Sequence, residues 1–432
     1  MAVVFRSTSD LLYLPDHGFV EEDGAIKILL QINRQIRRLD VSHNLLGNEG
    51  ISVLIQGLNS CRHRFSSTDY GLWGLRDINL GSNSISDESF SALMSYAKKD
   101  VFMRRVTVQG NDIELRNHLD SVLNSLNSSH IEDLSLTNNP SLLSSSIRKL
   151  FNTITTPYLS QLYLSVCNLG PNIIPPLVSY LGSPRSRNLE LLELNGNKLG
   201  VEGVRAIVDV VESFNFTIKE VSLLANDVLS RSNDDVEETS RPSDAEKRAE
   251  NDALAYECHR RLPPLLARNR ALTQRIRRAA IRVIAPARIL LTARPLNDVE
   301  MARQVIDSIG TRPPAFRILD LPREVLYLIV RHCSRDASAF SEAQFTRMRK
   351  EAESRDNVKR NGTIMRERLL KAESDQIGRA VWQVREEWLK KGKWDKWELD
   401  KPVQVPAHTE TVESHSGKSS DLSPGTQSLQ LS

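Results

Sequence analysis

One spacing, apolar-x-x-apolar-x-apolar-x-x-Asn-x-apolar, recurs along the first half of this chain and constrains its fold more than any other feature. It opens at Ile36, Leu39, Val41, Asn44 and Leu46, then returns at Leu75, Ile78, Leu80, Asn83 and Ile85. Further copies run Met103, Val106, Val108, Asn111, Ile113; Ile131, Leu134, Leu136, Asn139; and Leu159, Leu162, Leu164, Cys167, Leu169. The last two are Leu189, Leu192, Leu194, Asn197, Leu199 and Ile218, Val221, Leu223, Asn226, Val228. Taking the second apolar position as marker (39, 78, 106, 134, 162, 192, 221), the steps are 39, 28, 28, 28, 30 and 29 residues. Such regularity marks a stacked array of like units.

Each position has a physical task. The apolar-x-apolar centre is a short strand whose alternate side chains point inward. The Asn sits where the chain turns, and its amide can satisfy buried backbone groups of a neighbouring coil. Cys167 takes that place once, and Pro140 with Leu142 makes the fourth copy the least regular. Between strands, segments such as 200–214 place Val204, Ile207, Val208 and Val211 at helical spacing. The 39-residue first step predicts an inserted loop over Cys61 to Gly74.

These copies resemble the ribonuclease-inhibitor-like subfamily of leucine-rich repeats, which also includes the Ran GTPase-activating proteins. The resemblance covers residues 30 to 230 and implies an α/β solenoid, a horseshoe with parallel strands on the concave face and helices on the convex face; the sequence after the repeats adds a C-terminal helical extension. One repeat cannot bury its own apolar face, so the ends need capping. The expected organisation is an N-terminal cap (1–35), a domain of seven repeats (36–230), an acidic polar linker (231–257), a basic helical segment (258–310), a helical region (311–400) and a disordered tail (401–432).

On this alignment the residues flanking each inward marker write the concave surface. The row before it holds Arg38, Asp77, Arg105, Asp133, Gln161, Leu191 and Glu220. The row after it holds Asp40, Asn79, Thr107, Ser135, Tyr163, Glu193 and Ser222. Neither row has the uniform charge of a phosphate groove, so the face reads as a protein-binding surface with Tyr163 as its best anchor.

The rest of the chain is less regular. Residues 233–252 carry eight acids against three bases, whereas 258–294 carry ten arginines with no lysine and no acid. There Leu272, Ile276, Ala279, Ala280, Val283 and Ile284 form an apolar stripe, so an amphipathic helix ending before Pro286 is expected. It reads either as a cap on the array or as a surface for nuclear-import, membrane or nucleic-acid contact. Leu321, Pro322, Glu324, Val325, Leu326 and Ile329 resemble the opening helix of an F-box. Pro322 suits a helix start and Glu324 its positive end. The resemblance spans about fifteen residues, and the later hydrophobic and tryptophan positions of that family are missing. Trp382, Trp388, Trp394 and Trp397 are expected to dock on the body of the protein or on a partner.

Composition bounds the function. A net charge of +3 over 432 residues, with 40% apolar and 26% charged residues, describes an ordinary globular chain. Cys61, Cys167, Cys258 and Cys333 lack metal-ligand or disulfide spacing. No stretch reaches the roughly 18 apolar residues of a membrane helix, and Arg6, Asp10 and Asp16 interrupt any signal-peptide core. An intracellular protein, cytoplasmic and/or nuclear, is expected. Phosphate-binding loops, metal-protease motifs and clustered catalytic residues are missing, so no catalytic residue, metal or cofactor is expected. The reading is a non-enzymatic interaction scaffold with a protein partner. A Ran-type small-GTPase activator and an F-box-like adaptor holding a ubiquitin-ligase linker are the alternatives, and nucleic acid is not expected.

Overall fold

The inward apolar positions generate the architecture directly. In the computed structural model, which describes residues 9–66, 71–226, 242–292, 318, 321–371 and 377–398, they lie on one parallel sheet of eight three-residue strands in sequential order. The strands are β1 (Leu11–Tyr13), β2 (Arg38–Asp40), β3 (Asp77–Asn79), β4 (Arg105–Thr107), β5 (Asp133–Ser135), β6 (Gln161–Tyr163), β7 (Leu191–Glu193) and β8 (Glu220–Ser222). Every repeat marker pairs with the next in register, Leu39 with Ile78 through Leu192 with Val221. The alternating helices are α1 (Glu21–Gln31), α2 (Gly47–Phe65), α3 (Asp87–Lys99), α4 (Leu119–Ser128), α5 (Ser144–Thr153), α6 (Ile174–Leu181) and α7 (Val201–Ser213). Their apolar faces and the inward strand residues form one continuous buried core.

Ladders of asparagine close the turns. Asn111, fully enclosed, accepts from the backbone N–H of Asn83 (2.9 Å) and Ile85 (3.2 Å) and donates to the carbonyls of Leu80, Val108 and Gln109. Asn44 and Asn197 make the same two-acceptor bridge to the coil before them. Cys167 keeps only the donor half, its thiol facing the carbonyls of Leu136 (3.1 Å) and Ser165 (3.4 Å).

Three expectations change. First, β1 adds a strand ahead of the seven copies, with Leu12 in register with Leu39. Its coil carries His17 where later coils carry Asn, and Asn44 bridges to the N–H of His17 and Phe19. Second, the insertion in the first step is not a loop from Cys61, because α2 runs on to Phe65 and Trp73 is buried against Phe65. Third, part of the supposed acidic linker is helical: α8 spans Pro242–Thr292, with Pro263, Pro264 and Pro286 inside it. Pro286 does not end the helix, since Val283 and Ala287 on either side are locked in a buried core. The rest of the linker, 231–241, lies outside the described residues, as do residues 293–317 and the tail.

The first half of α8 covers the last repeat. Cys258, Leu262 and Leu266 join the solenoid core, and Arg261 pairs with Asp209 (2.8 Å) and Glu212 of α7. Arg268 donates to the carbonyls of Val211 (2.7 Å) and Glu212 (2.8 Å), and Asn269 to those of Asn215 and Ile218. The open carbonyls at the end of α7 are thereby satisfied.

The second half of α8 founds a separate core with α9 (Arg323–His332), α10 (Glu342–Glu353) and α12 (Ile377–Gly392), while α11 (Arg355–Lys371) packs beside α10 and α12 without entering it. Ile276, Ala280 and Val283 of α8 meet Val330, Phe345, Met348, Leu389 and Trp394 there. This bundle folds back on the solenoid at the edge where the strands begin. Lys396 pairs with Glu190, and Arg187 lies 3.6 Å from Glu398. Farther along, Trp382, Glu386 and Lys390 face Asp10, Arg37, Arg76 and Arg104 across a cleft of about 730 Å³. Of the four tryptophans, Trp394 is buried beside Trp388, Trp397 is half-buried under Arg275, and Trp382 stays exposed. No helix among the described residues is long and apolar enough to cross a membrane.

Candidate protein-binding face

Strand register sets the side-chain rows, because neighbouring strands lie about 4.8 Å apart. One row reads Arg38, Asp77, Arg105, Asp133, Gln161, Leu191, Glu220; the other reads Asp40, Asn79, Thr107, Ser135, Tyr163, Glu193, Ser222. The structure thus brings the sequence-derived candidates onto one sheet face, although they are not equally available.

Towards the N-terminus the charges neutralise one another. Arg38 holds Asp10 at 2.6 Å, and Asp40 accepts from Asn79 (3.0 Å) and Ser42 (2.7 Å). In the middle, Asp133 and Ser135 are buried and do not present themselves to a partner, which corrects their place among the contact residues. The Arg105 guanidinium lies over Asp133 at 2.6 Å. Burial raises the Asp133 carboxyl above its ordinary range despite that bond, while the same bond holds Arg105 above its own. Asp77, on the strand before Arg105, and Thr107 are half-buried.

Towards the C-terminus the face is different. The Tyr163 hydroxyl donates to Gln161 (2.7 Å), which fixes the ring and leaves it half-exposed. Glu193 and Glu220 on adjacent strands have no cationic partner among the described residues. Burial, then the neighbouring Glu220, lifts the Glu193 carboxyl above its usual range. The two like charges lie diagonally on adjacent strands, Glu193 opposite Ser222 and Glu220 opposite Leu191, and form a site that a cation would relieve. Just past the strand ends, Val166 and Leu224 are exposed as well.

Sequence reasoning missed Tyr13, 63% exposed and in the same row as Tyr163. Its strand lacks the Asn signature, and the only signal was the alternation Leu12, Leu14 around it. The F-box-like segment lies on α9, with Pro322 at its N-cap and Glu324 in its first turn. Val330 joins the bundle core, Leu326 is buried, Leu321 and Ile329 are half-buried, and Val325 and Leu328 are exposed. No group of three or more His, Cys, Asp or Glu able to hold a metal occurs among the described residues.

A family model described as Leucine Rich repeat matches residues 33–54 and 185–208. These windows hold β2 with the start of α2, and β7 with much of α7, so each carries the strand, the turn asparagine and the following helix. A search of curated proteins gives no significant match. Repeats of this kind are generally protein-interaction modules. The matched repeats, the in-register parallel strands and the buried asparagine bridges together give this chain the fold of a leucine-rich-repeat solenoid.

Proposed function

We propose that this chain is a non-catalytic scaffold that captures a protein partner on the C-terminal half of its concave face. Tyr163 is the anchor, and Glu193 with Glu220 recognises a basic group of the partner. The observation that carries the reading is the uncompensated Glu193–Glu220 pair beside an oriented, half-exposed tyrosine. An aromatic ring fixed by an internal hydrogen bond loses little freedom on binding, and an Arg or Lys placed between two carboxylates gains charge-assisted bonds. Arg38, Asp40, Asp77, Asn79, Arg105 and Thr107 serve as the surrounding rim. Four unpaired thiols fit an intracellular location.

The test is affinity capture from native cell extract, read by mass spectrometry, with the full chain and with Tyr163→Ala/Glu193→Arg. A partner held by the first and lost by a normally melting double variant supports the reading. Unchanged capture removes it. Capture of a ligase linker that vanishes in Val325→Asp/Leu328→Asp assigns the interaction to the F-box-like helix instead, because those two side chains are exposed and outside the bundle core. A small GTPase retained by that variant and lost by the concave one points to the GTPase reading.

A further inference from the structure

The arginine-rich run divides into two sets once its neighbours are in place. Arg261, Arg268, Arg275 and Arg277 are consumed internally, on Asp209 and Glu212, on the α7 carbonyls, on Asp336 and on Glu386. Arg288 lies 3.6 Å from Glu351. These arginines hold the cap and bundle together. Arg270, Arg278 and Arg282 do not: their side chains are exposed and have no hydrogen-bond or ion-pair partner among the described residues.

Arg278 and Arg282 are one helical turn apart on the same side of α8 and line a groove of about 290 Å³. Its opposite wall is the turn after α9, where Arg335 is also exposed and unpaired. Arg335 sits in the left-handed region at φ 60°, uncommon for a residue with a long side chain, and its N–H is tied to the His332 carbonyl at 3.0 Å. Strained positions of this kind cluster at ligand clamps. The groove's one carboxylate, Asp336, is already bound by Arg275 through two nitrogens. With Arg275 spent on Asp336, three uncompensated guanidiniums, Arg278, Arg282 and Arg335, remain around a lining that includes Ala271 and Ala279.

We infer that this groove, on a surface separate from the concave face, docks an acidic peptide segment of a partner protein. Arg278 and Arg282 stand about 6 Å apart along the helix axis at 1.5 Å per residue, matching carboxylates spaced one helical turn apart. Arginine clusters are a recurring means of reading acidic or phosphorylated motifs, because each fork can take an oxoanion in two parallel bonds. Small alanines in the floor let a peptide approach closely. Nucleic acid fits less well, since the groove lining offers no aromatic platform for bases.

Fluorescence anisotropy of the full chain with a labelled glutamate-rich peptide tests this. The peptide binds, its glutamine counterpart does not, and Arg278→Glu/Arg282→Glu weakens binding by about a hundredfold, roughly tenfold for each lost charge-assisted contact. Arg335→Ala weakens it by about tenfold on the same basis. Arg260→Glu, an exposed change outside the groove, leaves binding within about twofold at near-physiological salt, where distant charges are screened. Should the double reversal fail to melt normally, Arg278→Gln/Arg282→Gln replaces it. Absence of peptide binding, equal loss in Arg260→Glu, or tighter binding of a uridine-rich RNA oligonucleotide would overturn the proposal.

Discussion

Replacing Asn111 by alanine removes five hydrogen bonds from a fully enclosed turn, and their fates can be followed one by one. The carbonyl of Val108 still accepts from Asn139 (3.1 Å), and that of Gln109 still accepts from the Ser82 N–H (2.8 Å). The N–H groups of Asn83 and Ile85 lose their acceptor, and the carbonyl of Leu80 loses its donor. Three buried backbone groups without partners, at about 1–3 kcal/mol each, give a destabilisation of about 3–6 kcal/mol after partial relaxation. That is a large share of a typical domain's stability of about 5–15 kcal/mol. Asn195→Ala is the matched control: its Oδ1 accepts from the Leu224 N–H at 2.8 Å, but Leu224 is exposed and water replaces that bond. The control should cost about 0.5 kcal/mol, the scale of an ordinary surface change. Urea unfolding followed by circular dichroism measures both, with the midpoint shift read at constant slope. A loss below about 1 kcal/mol for Asn111→Ala, or one equal to the control, would refute the claim that turn asparagines hold adjacent coils together.

Two further outcomes follow from buried groups. Burial pushes the Cys167 thiol up to about 11, so it should resist iodoacetamide at neutral pH in the folded chain and react only on unfolding. Cys167→Asn, restoring the missing acceptor, should raise the melting midpoint by the equivalent of about 1 kcal/mol, one net hydrogen bond; a lower midpoint would count against the acceptor argument. Burial raises the Glu190 carboxyl, but Lys396 and Lys219 together outweigh it and hold the group below its ordinary value of 4.5. Its stabilising share is therefore present above pH 4.5 and lost as pH falls through the lowered value. Hydrogen exchange on acidification should show α12 losing protection before α3, with the difference reduced in Lys396→Ala; simultaneous loss in both proteins would contradict that role for the pair.

The strand ladder was legible because a buried period-two pattern leaves no freedom of register: shifting a strand by one residue would turn Leu134 or Leu192 out to solvent. β1 escaped because His17 stands at its turn, and the accepting asparagine belongs to the next coil. The start of α8 was hidden for another reason. Its acidic run reads as a solvated linker, yet Ala, Glu, Lys and Arg are good helix formers, and Ala255 and Cys258 give the segment buried positions. Alternation gave the rows of the concave face but could not say that Asp133 would be covered by Arg105 from the preceding strand. Nor could composition sort the arginines, since the acids that consume Arg261 lie about fifty residues away in sequence.

The placement of the C-terminal bundle bears on how a partner reaches the concave face. Lys396 binds Glu190, the residue directly before β7, and Lys219, directly before β8, binds the same carboxylate at 2.7 Å. The bundle is therefore pinned beneath the two strands that carry Glu193 and Glu220, at the edge where strands begin. Binding energy at the acid pair can be transmitted to that clasp only through Leu191–Glu193, held in register on both sides, and Glu220–Ser222, the edge strand paired with it. β7 is bonded on both sides, and β8 is tied to it by the ladder and by Lys219 on Glu190, so a partner should meet a preformed surface and recruit it without rearranging the bundle. Approach is then favoured from the opposite edge, where strands end and Val166 and Leu224 stand exposed beside the tyrosine and the acids. The basic groove on α8 lies within the bundle rather than on this sheet. A partner carrying both a basic and an acidic segment could engage the two surfaces together, with avidity set by the length of chain joining them.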